Sequence, residues 1–219
     1  MTSEQETAFW DAVKIFDAEG LLPYVILIGS WAEYIYERFL WADFKADLRT
    51  RDVDFLFKSI KRPNRRIKII DALKEKGFEY QEDVLSGVGR FIKEDVLQIE
   101  FLVQTLGKGE RMYERIPSID IGAVSFRSMV MLAGYTIDLD CDGHMIKVPE
   151  PEAYVLQKIF ANPDRSEEKQ EKDLQSVEIL SDLINVDRLN LIYSELTKKQ
   201  QKAIMDVCKT KGLNTRILF

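Results

Sequence analysis

Val25-Ile26-Leu27-Ile28-Gly29-Ser30 and, further on, Thr50-Arg51-Asp52-Val53-Asp54-Phe55 are the two stretches on which the fold turns. The run Tyr24–Ile28 is short and apolar and is broken by Gly29-Ser30, so it is expected to be a buried strand feeding a helix. Trp31, Ile35, Phe39 and Ala42 give that helix an apolar stripe. A Gly-Ser at such a junction presents backbone N–H groups and a hydroxyl at the positive end of a helix, which suits a phosphate. In the second stretch acidic and apolar residues alternate over Asp52–Phe57, which predicts another strand. Asp52 and Asp54 then share one face, while Val53, Phe55 and Phe57 turn into a core. Two carboxylates side by side repel unless a cation lies between them. Carboxylate oxygens suit Mg²⁺ or Mn²⁺.

A third acid follows the same logic. In Leu97-Gln98-Ile99-Glu100-Phe101-Leu102-Val103, Glu100 interrupts an apolar strand. A carboxylate facing an interior is costly unless it is paired or ligates a metal. If this strand lies beside Asp52–Phe57, Glu100 completes a three-carboxylate cluster of the kind that holds two metals about 3.5–4 Å apart. Each part alone has a plainer explanation. A D-x-D on a strand is often a solvated face, a Gly-Ser serves any strand-to-helix turn, and Glu100 could pair with a lysine. The combination, in this order, carries the reading.

Around these stretches the chain is α/β (α+β) in character. Ser3-x-x-Glu6 reads as a capping box for a first helix with Phe9, Val13 and Phe16 on its inner face, ending near Gly20. Pro63 is expected to open a helix that Gly77 closes, with Ile67, Ile70 and Leu73 facing inward. Phe78–Gln81, Val88–Lys93, Val96–Val103 and Ile119–Phe126 read as strands, the second and third joined by a tight Glu94-Asp95 turn. Thr136–Cys141 and His144–Val148 form a hairpin through Asp142-Gly143. From Pro149 the period is helical, over Ala153–Phe160, Lys172–Leu183, Arg188–Leu196 and Gln200–Lys209. The expected domains are a sheet domain over 1–148 and a helical C-terminal domain over 149–219. The apolar end Arg216-Ile217-Leu218-Phe219 is expected to dock on its own domain.

Composition narrows the chemistry. The chain has 219 residues, 46% of them hydrophobic and 31% charged, enough to bury a core without staples. Cys141 and Cys208 lie far apart and His144 is the single histidine, which argues against a disulfide framework, a Cys/His zinc site or a serine triad. Chemistry must therefore run on carboxylates, lysines or hydroxyls. A net charge of −6 speaks against coating nucleic acid through bulk charge, though not against a local basic groove. No apolar run approaches the ~18 residues of a membrane span, and the polar, acidic N-terminus resembles no targeting segment. A cytoplasmic protein is expected.

Two further motifs invite chemical readings. Lys58, Lys61, Arg62, Arg65, Arg66 and Lys68 cluster without an intervening acid. They could track a nucleic-acid acceptor, but no aromatic residues interleave them, which favours a solvated loop and the outer face of a helix. Asp138-x-Asp140-x-Asp142-Gly143 mimics the start of a calcium loop, but Pro149 stands where the final glutamate belongs, and Asp142-Gly143 reads as a hairpin turn.

Taken together, Gly29-Ser30, Thr50-x-Asp52-Val53-Asp54-Phe55 and Ile99-Glu100-Phe101 resemble the nucleotidyltransferase superfamily of polymerase-β-like fold. The long interval between Ser30 and Asp52 is similar to that of the bacterial branch containing abortive-infection toxin nucleotidyltransferases. In that branch a helical C-terminal half carries a lysine and then a Lys-Asp pair. Here the counterparts are Lys158 in Glu152-Ala153-Tyr154-Val155-Leu156-Gln157-Lys158, then Arg165, then Lys172-Asp173. The resemblance spans roughly Val25–Leu183. It implies a mixed-sheet nucleotidyltransferase domain followed by a helical domain, with Asp52, Asp54 and Glu100 holding Mg²⁺ or Mn²⁺. It further implies that Gly29, Ser30 and Thr50 contact the nucleotide, that Lys158 neutralises phosphate charge and that Asp173 positions the acceptor or assists as a base. The implied reaction moves a nucleoside monophosphate from an NTP such as ATP to a hydroxyl of RNA, protein or a small molecule, releasing pyrophosphate. A catalytically idle nucleotide- or partner-binding module of a toxin–antitoxin system, and a metal-dependent phosphodiesterase, remain open at this point.

Overall fold

The computed structural model describes residues 2–46, 50–104, 113–126 and 129–213. The chain divides into two compact units, Met1–Val148 and Pro149–Phe219.

In the first unit, α1 (Ser3–Ala18) is closed by a capping box one residue ahead of the expected pair. The Thr2 hydroxyl accepts the Gln5 N–H, and the Gln5 side chain accepts the Thr2 N–H. Thr2 and Gln5 satisfy the same rule as Ser3 and Glu6, and Ser3 is already helical. β1 (Val25–Ile28) and α2 (Ser30–Phe39) follow, then β2 (Asp52–Phe57), α3 (Ile69–Glu75), β3 (Glu79–Glu82), β4 (Gly89–Lys93) and β5 (Leu97–Gln104). β6 (Tyr113–Ile116), β7 (Ile121–Phe126), α4 (Val130–Gly134), β8 (Thr136–Cys141) and β9 (His144–Pro149) complete the unit.

The main sheet is mixed, as the resemblance implies. Its order is β1-β2-β5-β4-β3, with β7 also on β5 and β6 on β7. β2 runs parallel to β5 and antiparallel to β1. Along β2, Val53, Phe55 and Phe57 are at most 2% exposed, as expected, and Leu56 on the face of the acids is buried as well. Phe101 on β5 meets Phe16, Phe55, Phe57 and Phe91, and Phe9 of α1 stacks on Trp31 of α2 at 4.5 Å. This aromatic layer seats α1 against one face of the sheet and leaves Asp52, Asp54 and Glu100 on the other.

Three local expectations are corrected. Pro63 does not open a helix, since α3 starts only at Ile69. Ile67 donates its N–H to the Ser118 carbonyl, so a tertiary contact keeps that segment out of the helix, and Ile69 and Leu73 form the buried face. The six cations accordingly lie on a surface loop and at the start of α3, not along a helix face. The β4–β5 connection holds three residues, Glu94–Val96, with Asp95 at φ +57. That left-handed position closes a three-residue hairpin where a two-residue turn was expected. β6 and α4 were not legible in advance. Both are too short, at four and five residues, to repeat a pattern more than once or twice, and β6 exists through its pairing with β7. The Asp142-Gly143 hairpin forms as expected, with φ of +54 and +88 at the two turn residues.

In the second unit α5 (Pro151–Ala161) is buried along most of its length and is the hub for α6 (Glu167–Ser181), α7 (Val186–Glu195) and α8 (Lys198–Lys211). α6 begins earlier than expected because its charged first turns lack an apolar period yet consist of good helix formers. The Glu152 carboxylate accepts the Asn185 N–H at 2.8 Å, and Arg188 grips Glu150 through two hydrogen bonds. Among the described residues no helix is long and apolar enough to cross a membrane. Arg216–Phe219, expected to dock on its own domain, lies outside the described residues.

Candidate active site

Gly29 joins β1 to α2 with φ +70 and ψ −159, a conformation essentially confined to glycine. Ile28 stands opposite Asp54 in the β1–β2 register. The start of α2 is thereby brought against the acidic strand, and a Cβ on residue 29 would lie 3.2 Å from Asp54 Oδ2. Ser30 is the first residue of α2, and no side chain caps that helix. Its first N–H groups gather at the positive end of the helix dipole.

Asp52 is exposed at the head of β2, and Asp54 is half-buried two residues on. Thr50 steadies the first of them. Its hydroxyl accepts the Asp52 N–H at 3.0 Å and donates to Asp52 Oδ2 at 3.5 Å. The β2–β5 register sets Glu100 directly beside Asp54 and Gln98 beside Asp52. Side chains opposite one another share a face, so the sequence-predicted acids do come to one face of one sheet.

The third acid is nevertheless engaged elsewhere. Arg90 on β4 stands opposite Glu100 on its other side, with Nε 2.9 Å from Glu100 Oε1. The Gln98 side-chain amide donates to the same oxygen. Among the described residues no group of three or more His, Cys, Asp or Glu side chains is arranged to hold a metal. The donor chemistry of Asp52 and Asp54 fits a hard divalent cation, and glycine at position 29 keeps space open beside Asp54. Glu100 fits by type and register, while its carboxylate is bound to Arg90 and Gln98. Neither Arg90 nor Gln98 was singled out from the sequence. The missing signal was the length of the hairpin loop. A three-residue loop pairs 93 with 97 and hence 90 with 100, whereas a two-residue turn pairs 90 with 99.

Lys158 and Asp173 belong to the second unit, and the structure joins them to each other. Lys158 Nζ is 2.8 Å from Asp173 Oδ1, and Arg165 Nε is 3.4 Å from Asp173 Oδ2. Both side chains of the closer pair are largely enclosed, and Lys158 also sits 5.0 Å from the centre of the Tyr154 ring. They are not solvated members of a charged face, as a plainer reading of that stretch would have them.

An open cleft of about 510 Å³ runs along α1, lined by Glu6, Trp10, Lys14, Arg38 and His144 among others and by none of the predicted site residues. Tyr34 lies at the centre of the polar network beside it, accepting from Trp10 and donating to Glu6. Burial, and then that bond to Glu6, push the Tyr34 hydroxyl up to about 12. His144, at the head of β9, pairs with Asp17 at 2.7 Å.

The likeness to known proteins agrees with this architecture. The antigenic nucleotidyltransferase-like protein from Paracoccidioides brasiliensis superimposes with a TM-score of 0.61 at 13% identity, over 99% of this chain and 93% of that one. The solution structure of the antibiotic-resistance factor ANT(2'')-Ia, which reveals substrate-regulated conformation dynamics, gives a TM-score of 0.51 at 10% identity, over 96% of this chain and 100% of that one. At such identities the likeness establishes the fold. No curated protein matches the chain significantly. A family model described as nucleotidyltransferase matches residues 8–201, nearly the whole chain, and the protein belongs to that nucleotidyltransferase family.

Proposed function

We propose that the protein transfers a nucleoside monophosphate from an NTP to an acceptor hydroxyl, with Asp52 and Asp54 at the centre of the site. The observation that carries this reading is the meeting of the α2 start with the acidic strand, where a Cβ on Gly29 would lie 3.2 Å from Asp54 Oδ2. A phosphate-suited helix start and a pair of carboxylates then face the same reactant from two sides. Asp52 and Asp54 would hold Mg²⁺ or Mn²⁺, which neutralises triphosphate charge when bound and so favours displacement at the α-phosphorus. Gly29 lets the backbone approach the phosphates, Ser30 offers N–H and hydroxyl donors, and Thr50 fixes the orientation of Asp52. Glu100 is the third acid of the site. Lys158 would add positive charge toward phosphate and Asp173 would orient the acceptor, each on leaving the pair they form with one another.

RNA, protein and small molecules all supply suitable hydroxyls. The likeness to an antibiotic-resistance factor favours trying small molecules alongside RNA and protein. The test is transfer of label from each of the four α-labelled NTPs into a cell extract, resolved into RNA, protein and small-molecule fractions, beside Asp52→Asn/Asp54→Asn. Label in one fraction with the wild type alone supports the reading and names the base and acceptor class. No label above the double variant in any fraction counts against transfer and favours a nucleotide- or partner-binding role.

A further inference from the structure

The carboxylate that should complete the acidic set occupies the right place in the sheet and is bound to something else. Asp54, Glu100 and Arg90 form one row across β2, β5 and β4, on the face away from the aromatic layer. Neighbouring strands lie about 4.8 Å apart, so Arg90 stands two strand spacings, or about 10 Å, from Asp54 at the backbone. The long arginine side chain covers much of that distance, so its guanidinium can meet a phosphate held over the acids. We propose that Arg90 is a latch on Glu100, holding its carboxylate out of the set formed with Asp52 and Asp54 until a phosphate of the nucleotide takes the guanidinium over.

The two partners differ in freedom. The Glu100 side chain is 17% exposed and that of Arg90 44%, so the cation is the member with room to move. Its planar fork binds phosphate oxygens as well as carboxylate oxygens, which makes the exchange chemically even-handed. Gln98 holds the same Glu100 oxygen and stands beside Asp52, so Glu100 keeps a neighbour on the acidic side when Arg90 leaves. A partly exposed ion pair contributes little net stability, and opening it costs correspondingly little. The latch would couple metal and nucleotide: Glu100 becomes a ligand only when phosphate is present.

This inference rests on Asp52 and Asp54 being a divalent-cation site, and the test separates the two. Mn²⁺ is titrated into the full-length protein and free Mn²⁺ is followed by electron paramagnetic resonance, with and without non-hydrolysable α,β-methylene NTP analogues. Circular dichroism checks the fold of each variant. Without nucleotide, Arg90→Ala is expected to bind Mn²⁺ roughly tenfold more tightly than the wild type, the scale on which neighbours of a metal ligand act. The gain should vanish in Arg90→Ala/Glu100→Gln. The analogues should tighten Mn²⁺ binding in the wild type and do so much less in Arg90→Ala. Affinity in Arg90→Ala equal to or below the wild type, with wild-type binding abolished by Asp52→Asn/Asp54→Asn, overturns the latch and leaves the acidic site standing. A gain that persists in Arg90→Ala/Glu100→Gln also overturns it. Mn²⁺ binding indifferent to Asp52→Asn/Asp54→Asn overturns the site and the latch together.

Discussion

Gly29 answers two demands at one atom: its backbone lies where a side chain is strained, and its missing Cβ leaves room beside Asp54. Gly29→Ala is therefore expected to lower stability by about 1–3 kcal/mol, the cost of holding such backbone in a residue with a side chain. A urea midpoint measures the loss, and Mn²⁺ affinity should fall in the same variant because the methyl group crowds the carboxylate. Tyr34 supplies a pH signature. Its hydroxyl titrates at about 12 in the folded chain against an ordinary 10.0, chiefly because it is buried. The raised value means the protonated form is favoured by folding. Its stabilising contribution is complete below about pH 10 and is lost as pH climbs toward about 12, since the unfolded chain ionises first. Urea midpoints across that window should fall more steeply for the wild type than for Tyr34→Phe. Equal slopes would remove Tyr34 as the source.

The β4–β5 hairpin is the element on which the site's composition depends. Asp95 holds the left-handed position that makes the loop three residues long, and this length sets Arg90 rather than Gly89 beside Glu100. Asp95→Val forces a branched side chain into that region and should cost about 1–2 kcal/mol, whereas Asp95→Gly should be tolerated. Loss of equal size in both would point instead to the exposed Arg51–Asp95 pair, which geometry alone makes worth little. Among the helices, α8 is closed by a reciprocal box of Thr197 and Gln200. Thr197→Ala is expected to cost about 1 kcal/mol by denaturant unfolding, against no more than about 0.5 kcal/mol for the neighbouring exposed Lys198→Ala.

For the molecule as a whole, ligand binding should register as stability. If Asp52 and Asp54 bind Mn²⁺ in the folded state alone, a concentration a hundredfold above the dissociation constant adds about 2.7 kcal/mol. Thermal unfolding of the full-length chain should shift upward with Mn²⁺ in the wild type and stay put in Asp52→Asn/Asp54→Asn; a shift shared by both would place the ion elsewhere. Much of this site was open to reading in one dimension. A strand's side chains alternate whatever surrounds it, so Asp52 and Asp54 had to share a face, with Val53, Phe55 and Phe57 on the other. Gly29-Ser30 had to break a strand that apolar residues had built, and a sheet region followed by helices was legible from the change in period at Pro149. The rest depended on which strand meets which. That Ile28 faces Asp54, that Glu100 stands between Asp54 and Arg90, and that Lys158 closes on Asp173 are contacts between residues far apart in the chain or across a loop whose length one backbone angle sets. Local periodicity determined the face each acid occupies; strand register, fixed by loop geometry and sheet pairing, decided the partner each one has.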